Sequence, residues 1–339
     1  MESPMVTIHD VAKAAGVSIS TVSYALSGKR SISATTRTRI DRAIADLDYR
    51  PHAAARMLAG ARTNILALSA PLRQDGHLPT HMRFVSAVVA ASRAHDYDVL
   101  LLATDDEVSG IRRVGSSSLV DGVVMMGVAT GDERLPIVRD LALPAAFIGV
   151  PGDVDDIACV DLDFAAAARE AVDRIADLGH RVVGMIGHPP SYLERQTGFI
   201  ERFDQALERE AAAKGVRIVR RWAGLERGAG RSAVDELLAE APQLTAVLFH
   251  CNEPVVEEAE RRLLELGVDV PGQVSLFAAA ASYDPSRLEI PLSGITLPLE
   301  DMCRRAVEAV FAAVDGRPAP DVTLLEPRFE DRGSLIPAP

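Results

Sequence analysis

The chain has 339 residues, 48% of them hydrophobic, with 36 Lys plus Arg against 48 Asp plus Glu and a formal charge of −12. That length supports more than one folded unit around a large core, and the acidic total taken alone points away from nucleic acid. No run approaches the ~18–20 apolar residues of a membrane helix, and the first ten residues lack a secretory signal, so a cytoplasmic protein with no membrane partner is expected. Cys159, Cys251 and Cys303 are odd in number and lack metal or disulfide spacing; reduced thiols are expected, with no metal and no cofactor.

The charge is unevenly placed. Residues 1–62 hold nine basic and five acidic side chains, whereas the remainder holds 27 against 43. A basic segment on an acidic body is the asymmetry of a chain that presents one end to phosphate. Within the segment, Thr7 followed three residues later by Asp10 reads as a capping box, so a first helix should start at Ile8 with Val11, Ala12 and Ala15 inward. Gly16 permits the positive φ of a tight turn, Val17 plugs the gap, and Ser18 caps a second helix opening Ile19-Ser20-Thr21. Val22, Ala25 and Leu26 face inward there, which leaves Ile19, Ser20, Ser23 and Tyr24 outside. A third helix over 36–47, capped by Ser33 or Thr35, carries Ile40, Ala43, Ile44 and Leu47 at core spacing. Helix, turn, helix is the geometry that lays a helix in the DNA major groove.

From Asn64 onward, short apolar runs alternate with amphipathic stretches. Runs at 65–68, 98–102, 122–126, 145–149, 182–186, 246–249 and 274–277 read as buried parallel strands. Stretches at 82–95, 165–178, 198–214, 231–240, 255–266 and 299–314 read as helices. The alternation predicts an α/β core of two doubly wound parallel-sheet subdomains, with a ligand cleft at the strands' carboxyl ends, preceded by an all-α helix-turn-helix domain. The expected division is a head at 1–50, a hinge helix and linker at 51–63, a first subdomain at 64–160 plus 294–324, and a second at 161–293 plus 325–339.

The segment from Val6 to Asn64 resembles the LacI family of bacterial transcriptional repressors. The matches are Val6-Thr7-Ile8, Asp10-Val11-Ala12, Ala15-Gly16-Val17-Ser18, Thr21-Val22-Ser23 and Leu26, then Ile32-Ser33, Thr36-Arg37, Leu47, Tyr49 and Pro51, and finally Ala55-Arg56, Leu58 to Gly60 and Arg62 to Asn64. The resemblance implies base reading by Ile19, Ser20 and Tyr24, and phosphate contacts or capping by Thr7, Ser18, Thr21, Ser23 and Thr36. His9, Ser33 and Tyr49 complete the DNA-binding candidates in the head. His52, Ala55, Arg56 and Leu58 fall in a hinge helix that orders on operator DNA, where Leu58 matches a minor-groove wedge.

Looser similarity continues through the body, whose architecture is similar to that of periplasmic sugar-binding proteins. It implies effector contacts from Asp163, Arg195, Asn252 and Glu253, with Arg195 using its planar fork. Two departures matter. Ala278-Ala279-Ala280-Ala281 stand where the family commonly places an acidic sugar contact, and the aromatic sugar platform after the first strand is replaced by Gly76 to Phe84. The effector therefore stays open between a sugar and another metabolite.

No HExxH, GxSxG, phosphate-loop or dinucleotide motif occurs, so no enzyme is expected. His250 and Cys251, at a strand end, are expected to face the cleft. The tail lacks a leucine heptad after Phe329, which favours a homodimer over a coiled-coil tetramer. The reading is a sequence-specific DNA-binding regulator, a repressor acting on a pseudo-palindromic operator under control of a small-molecule effector. The alternative is a solute-binding module without DNA function.

Overall fold

Local capping chemistry organises the amino-terminal helices. The computed structural model describes residues 6–27, 30–49, 62–152, 154, 156–318 and 321–339. Helix α1 (Ile8–Ala15) opens with the Asp10 carboxylate accepting from the Thr7 N–H at 2.8 Å and the Thr7 hydroxyl at 2.7 Å. It stops at Gly16, whose φ of 61° is the left-handed value a side chain would disfavour. The Arg39 guanidinium then donates to the carbonyls of Ala15 and Gly16, closing the helix end. Helix α2 (Ile19–Ser27) begins with the Thr21 N–H donating to the Ser18 hydroxyl at 3.2 Å. Helix α3 (Ala34–Asp46) starts two residues earlier than expected because Ser33, rather than Thr35, caps it. Val11, Ala12, Ala15, Val22, Ala25, Ile40, Ala43 and Tyr49 form the head's core. The hinge candidates His52, Ala55, Arg56 and Leu58 lie outside the described residues, as does the side chain of Leu26.

The body holds two six-stranded sheets. The first comprises β1 (Ile65–Ser69), β2 (Asp98–Leu102), β3 (Gly122–Met125), β4 (Ala145–Ile148), β5 (Ala158–Leu162) and β11 (Val322–Leu325), in the spatial order β11-β5-β4-β3-β1-β2 and parallel throughout. The second comprises β6 (Val182–Gly187), β7 (Arg217–Trp222), β8 (Ala246–His250), β9 (Ser275–Ala281), β10 (Ser293–Thr296) and β12 (Phe329–Glu330), ordered β12-β10-β9-β8-β6-β7. Only β12 runs antiparallel there. Leu66, Ala67, Leu68, Val123, Val124, Leu248 and Phe277 have no exposure, as strands covered on both faces require.

Helices α4 (Leu78–Arg93), α5 (Glu107–Ser116) and α6 (Arg134–Asp140) follow strands of the first sheet, and α12 (Leu299–Val314) packs across β3, β4 and β5. Helices α7 (Phe164–Asp177), α8 (Pro190–Glu194), α9 (Gly198–Lys214), α10 (Ala229–Glu240) and α11 (Glu253–Glu265) belong with the second. The chain crosses between sheets after β5, after β10 and between β11 and β12. Because β10 pairs with β9, residues 294–296 belong to the second sheet and not to the first, and the crossover falls at Leu297. No helix among the described residues is long and apolar enough to cross a membrane.

All seven expected strands form, and five more join them. Strand β7 escapes the apolar-run criterion because it carries Arg217, Arg220 and Arg221 at a sheet edge. Strand β5 holds Asp161, a charge inside an otherwise apolar run.

Candidate functional site

The outer face of α2 presents Ser18, Ile19, Ser20 and Tyr24 to solvent, with Ile19 40% and Tyr24 37% exposed. The hydroxyl of Ser18 lies 2.8 Å from that of Ser20 and 2.7 Å from that of Thr21. Thr21, Ser23 and Thr36 are half-buried beside them, while Thr7, His9 and Ser33 are exposed. Amide donors at a helix start, hydroxyls and an exposed aliphatic and aromatic pair make a surface able to meet phosphates and base edges. Lys13, Arg30, Arg37 and Arg42 are exposed on the same small domain, and Arg30 sits 6.0 Å from the centre of the Tyr24 ring. Tyr49 departs from expectation. Only 4% of it is exposed, because its ring completes the head's core, so it supports this surface from behind.

Between the two sheets lies a cavity of about 560 Å³, lined by residues that follow the carboxyl ends of strands in both. Its first wall carries a buried ionic cluster. Arg134, 3% exposed, donates from Nε and Nη2 to the two oxygens of Asp132 at 2.8 and 2.6 Å, from Nη1 to the Met126 carbonyl at 2.9 Å, and to Glu107. Arg73 holds the other oxygen of Glu107 at 2.8 Å. Burial opposes the charge on Arg134, but Asp132 and Glu107 outweigh it and hold the guanidinium above its ordinary value. The second wall is aromatic: Tyr192 stacks on His188 at 5.2 Å, and Phe199 meets His188 edge-on at 5.4 Å. Burial pushes His188 down to about 3, with His77 adding to the effect, so its ring is neutral at physiological pH.

Several contacts join the walls directly. Arg195 Nη1 donates to Asp75 across the cleft at 2.5 Å while its guanidinium lies 4.9 Å from the centre of the Tyr192 ring. Arg202 donates to the Val150 carbonyl at 2.8 Å and to Asp161. The Gly198 N–H donates to the Val128 carbonyl at 3.0 Å.

Of the four expected effector contacts, Arg195 and Asn252 line the cavity. Asn252 is 3% exposed, and its Nδ2 has no hydrogen-bond partner among the described residues. Asp163 does not line the cavity, because its carboxylate caps α7 by accepting the Ala166 N–H at 2.8 Å. Glu253 is also absent from the lining; it opens α11, where burial and then Glu257 raise its carboxyl above the usual range. The acid that does reach the cavity is Asp161, two residues before Asp163 on the same face of the chain. Burial pushes its carboxyl up to about 7 against the opposing effect of Arg202.

His250 and Cys251 are 1% and 4% exposed and stand behind the wall, not on it. The His250 ring packs 4.0 Å from Phe203 and 5.1 Å from His188, and neither of its nitrogens has a hydrogen-bond partner among the described residues. Phe84, from the segment that replaces the family's aromatic platform, does reach the cavity. Of the four alanines, only Ala280 lines it. Neither the Arg134 cluster nor the aromatic wall was anticipated: the first joins residues that follow β1, β2 and β3, and the second depends on how His188, Tyr192 and Phe199 fold back on one another after β6.

The comparisons with known proteins agree with this fold. Residues 7–52 match the family model described as bacterial regulatory proteins, lacI family, and residues 172–335 match a periplasmic binding protein-like domain. The chain is 27% identical over 347 residues to the HTH-type transcriptional regulator AglR of Rhizobium meliloti, covering 98% of this chain and 95% of that one. It is 26% identical over 329 residues to the HTH-type transcriptional regulator CelR of Thermobifida fusca, covering 94% and 95%. Its 29% identity to catabolite control protein A of Staphylococcus epidermidis spans 54% of this chain and 55% of that one. Among solved structures, a transcriptional regulator CelR–cellobiose complex superposes with a TM-score of 0.66 at 25% identity, covering 97% of this chain and 99% of that one. The lac repressor dimer bound to operator and the anti-inducer ONPF superposes with a TM-score of 0.79 at 20% identity, covering 98% and 99%.

Proposed function

Because the chain belongs to the LacI family of bacterial transcriptional regulators, we propose that it is a homodimeric repressor whose paired heads read a pseudo-palindromic operator under control of a small-molecule effector held in the cleft. The observation that carries this is the hydroxyl-rich outer face of α2 on a small domain that also exposes Lys13, Arg30, Arg37 and Arg42, in a chain that is otherwise strongly acidic. Thr7, His9, Ser18, Ile19, Ser20, Thr21, Ser23, Tyr24, Ser33 and Thr36 form the DNA-binding set in the head. His52, Ala55, Arg56 and Leu58 extend it into the hinge. The operative division is a head at 1–50, a hinge at 51–63 and two subdomains that exchange strands at the three crossovers.

Arg195 and Asn252 are the effector contacts, joined by Asp161 and the ring of Tyr192. The effector is a sugar or another small metabolite. The CelR relative was solved with cellobiose, which supports a sugar, whereas the loss of an acid at 278–281 favours a different set of contacts. An effector that binds one relative orientation of the subdomains better than another shifts the spacing of the hinges, and only such differential affinity can gate DNA binding. No catalytic step is assigned to any residue of the cleft.

A mobility-shift assay on the DNA beside the protein's own gene tests the reading. Sequence-selective retardation at moderate salt is expected. Its absence would return the chain to the solute-binding alternative.

A further inference from the structure

The cleft's charges specify more than a generic metabolite. Seven carboxylates and three guanidinium groups line it. Each of the three cations is already committed: Arg73 to Glu107, Arg134 to Asp132 and Glu107, and Arg195 to Asp75. The histidines supply no counter-charge, since burial lowers His77, His81 and His188 from their ordinary value and leaves them neutral near pH 7. On the acidic side, Asp105 and Glu133 hold no ion pair among the described residues, and Asp161 is buried with a single cationic partner.

A concave site with low-dielectric walls concentrates ions of the opposite sign, whereas an anion entering it would need a donor cation stripped from an existing pair. The Nδ2 of Asn252 and the rings of Tyr192, Phe199 and Phe84 offer polar and stacking contacts to a ring or a hydroxylated body, but no site for a phosphate. We infer that the effector is an ammonium-bearing small molecule, with its cation drawn to the Asp105 and Glu133 side of the cleft, and that sugar phosphates and carboxylates are excluded. This rests on the reading of the cleft as the effector site.

The test uses the full chain and does not require the natural effector. Ser282→Cys places a thiol in the lining, and the three native cysteines are buried, so the unsubstituted chain serves as the unreactive control. The thiol is reacted with three methanethiosulfonates: a trimethylammonium-ethyl, a sulfonato-ethyl and a neutral methyl reagent. Rates are divided by those for free 2-mercaptoethanol, which removes intrinsic reactivity, and any shift of the thiol's own ionisation affects all three alike. The expected result is a cation-to-anion preference of at least ~10-fold over the free thiol at low salt, fading as salt rises. Neutralising Asp105→Asn with Glu133→Gln should reduce it. An even or reversed preference overturns the ammonium assignment and leaves the cleft reading intact. Failure of even the neutral reagent to react, at Ser282→Cys and again at Thr80→Cys, overturns both, because an effector would then have no way in.

Discussion

Replacing Arg134 by Met should be among the most damaging single changes available in the first subdomain. The side chain is 4% exposed, as is that of Asp132, and Glu107 is 11% exposed. Methionine has comparable length and leaves little void, so the cost comes from charge and not from lost volume. It removes the cation from the Asp132 carboxylate, leaving it the backbone N–H groups of Ala129 and residue 134, removes one of two cations from Glu107 and leaves the Met126 carbonyl without this donor. Breaking a buried pair from one side costs roughly 3–5 kcal/mol, because the partner's charge stays desolvated and uncompensated. Urea unfolding followed by circular dichroism measures this as a lower midpoint with an unchanged slope. The double variant Arg134→Met with Asp132→Asn removes the stranded charge and should recover at least about 1 kcal/mol of the loss, a coupling expected for residues in direct contact. A single-variant cost below about 1 kcal/mol, or a double variant as damaged as the sum of its parts, would mean that the buried Arg134–Asp132 pair does not hold this wall together.

Two further predictions follow from groups placed by the fold and by the resemblance. The folded pKa of Asp161, about 7, lies above its unfolded value, so the folded chain keeps a proton that the unfolded chain releases. Its contribution is fully present below the unfolded pKa near 4 and is lost as pH rises through 7; Asp161→Asn should therefore gain in melting temperature relative to the parent between pH 5 and pH 8, and a constant difference across that window would contradict the burial argument. Leu58→Ala should weaken specific operator binding while largely keeping the salt-sensitive non-specific component, and an unchanged operator affinity in a direct titration would remove the minor-groove wedge.

The head was legible almost to the residue because its determinants are local. The Thr7–Asp10 cap, the Gly16 turn and the Ser18 cap each act over three or four positions, and each appears in the structure. The outer face of α2 followed from helical periodicity alone. Tyr49 was misplaced because its family position carried no information about which way the ring turns, and the ring turns into the core. In the body, apolar runs revealed the central strands, whereas β7 and β11 lie at sheet edges where charge and exposure break the run. The cleft was the least legible part. Arg195 followed from the family resemblance, but its partner Asp75 lies 120 positions away. Asp163 was expected in the cleft, but Asp161 lines it, because β5 ends at Leu162 and Asp163 is consumed in capping the helix that follows. Spacing of two on one face could not separate them.

Sequence-selective DNA binding by the intact chain is the most direct test of the central claim. Fluorescence anisotropy with a labelled duplex from the promoter beside its own gene, set against a scrambled duplex of equal length at physiological salt, gives the required ratio. The promoter duplex should bind at least ~10³-fold more tightly than the scrambled one. Equal affinity for the two, or no binding to either, would contradict it.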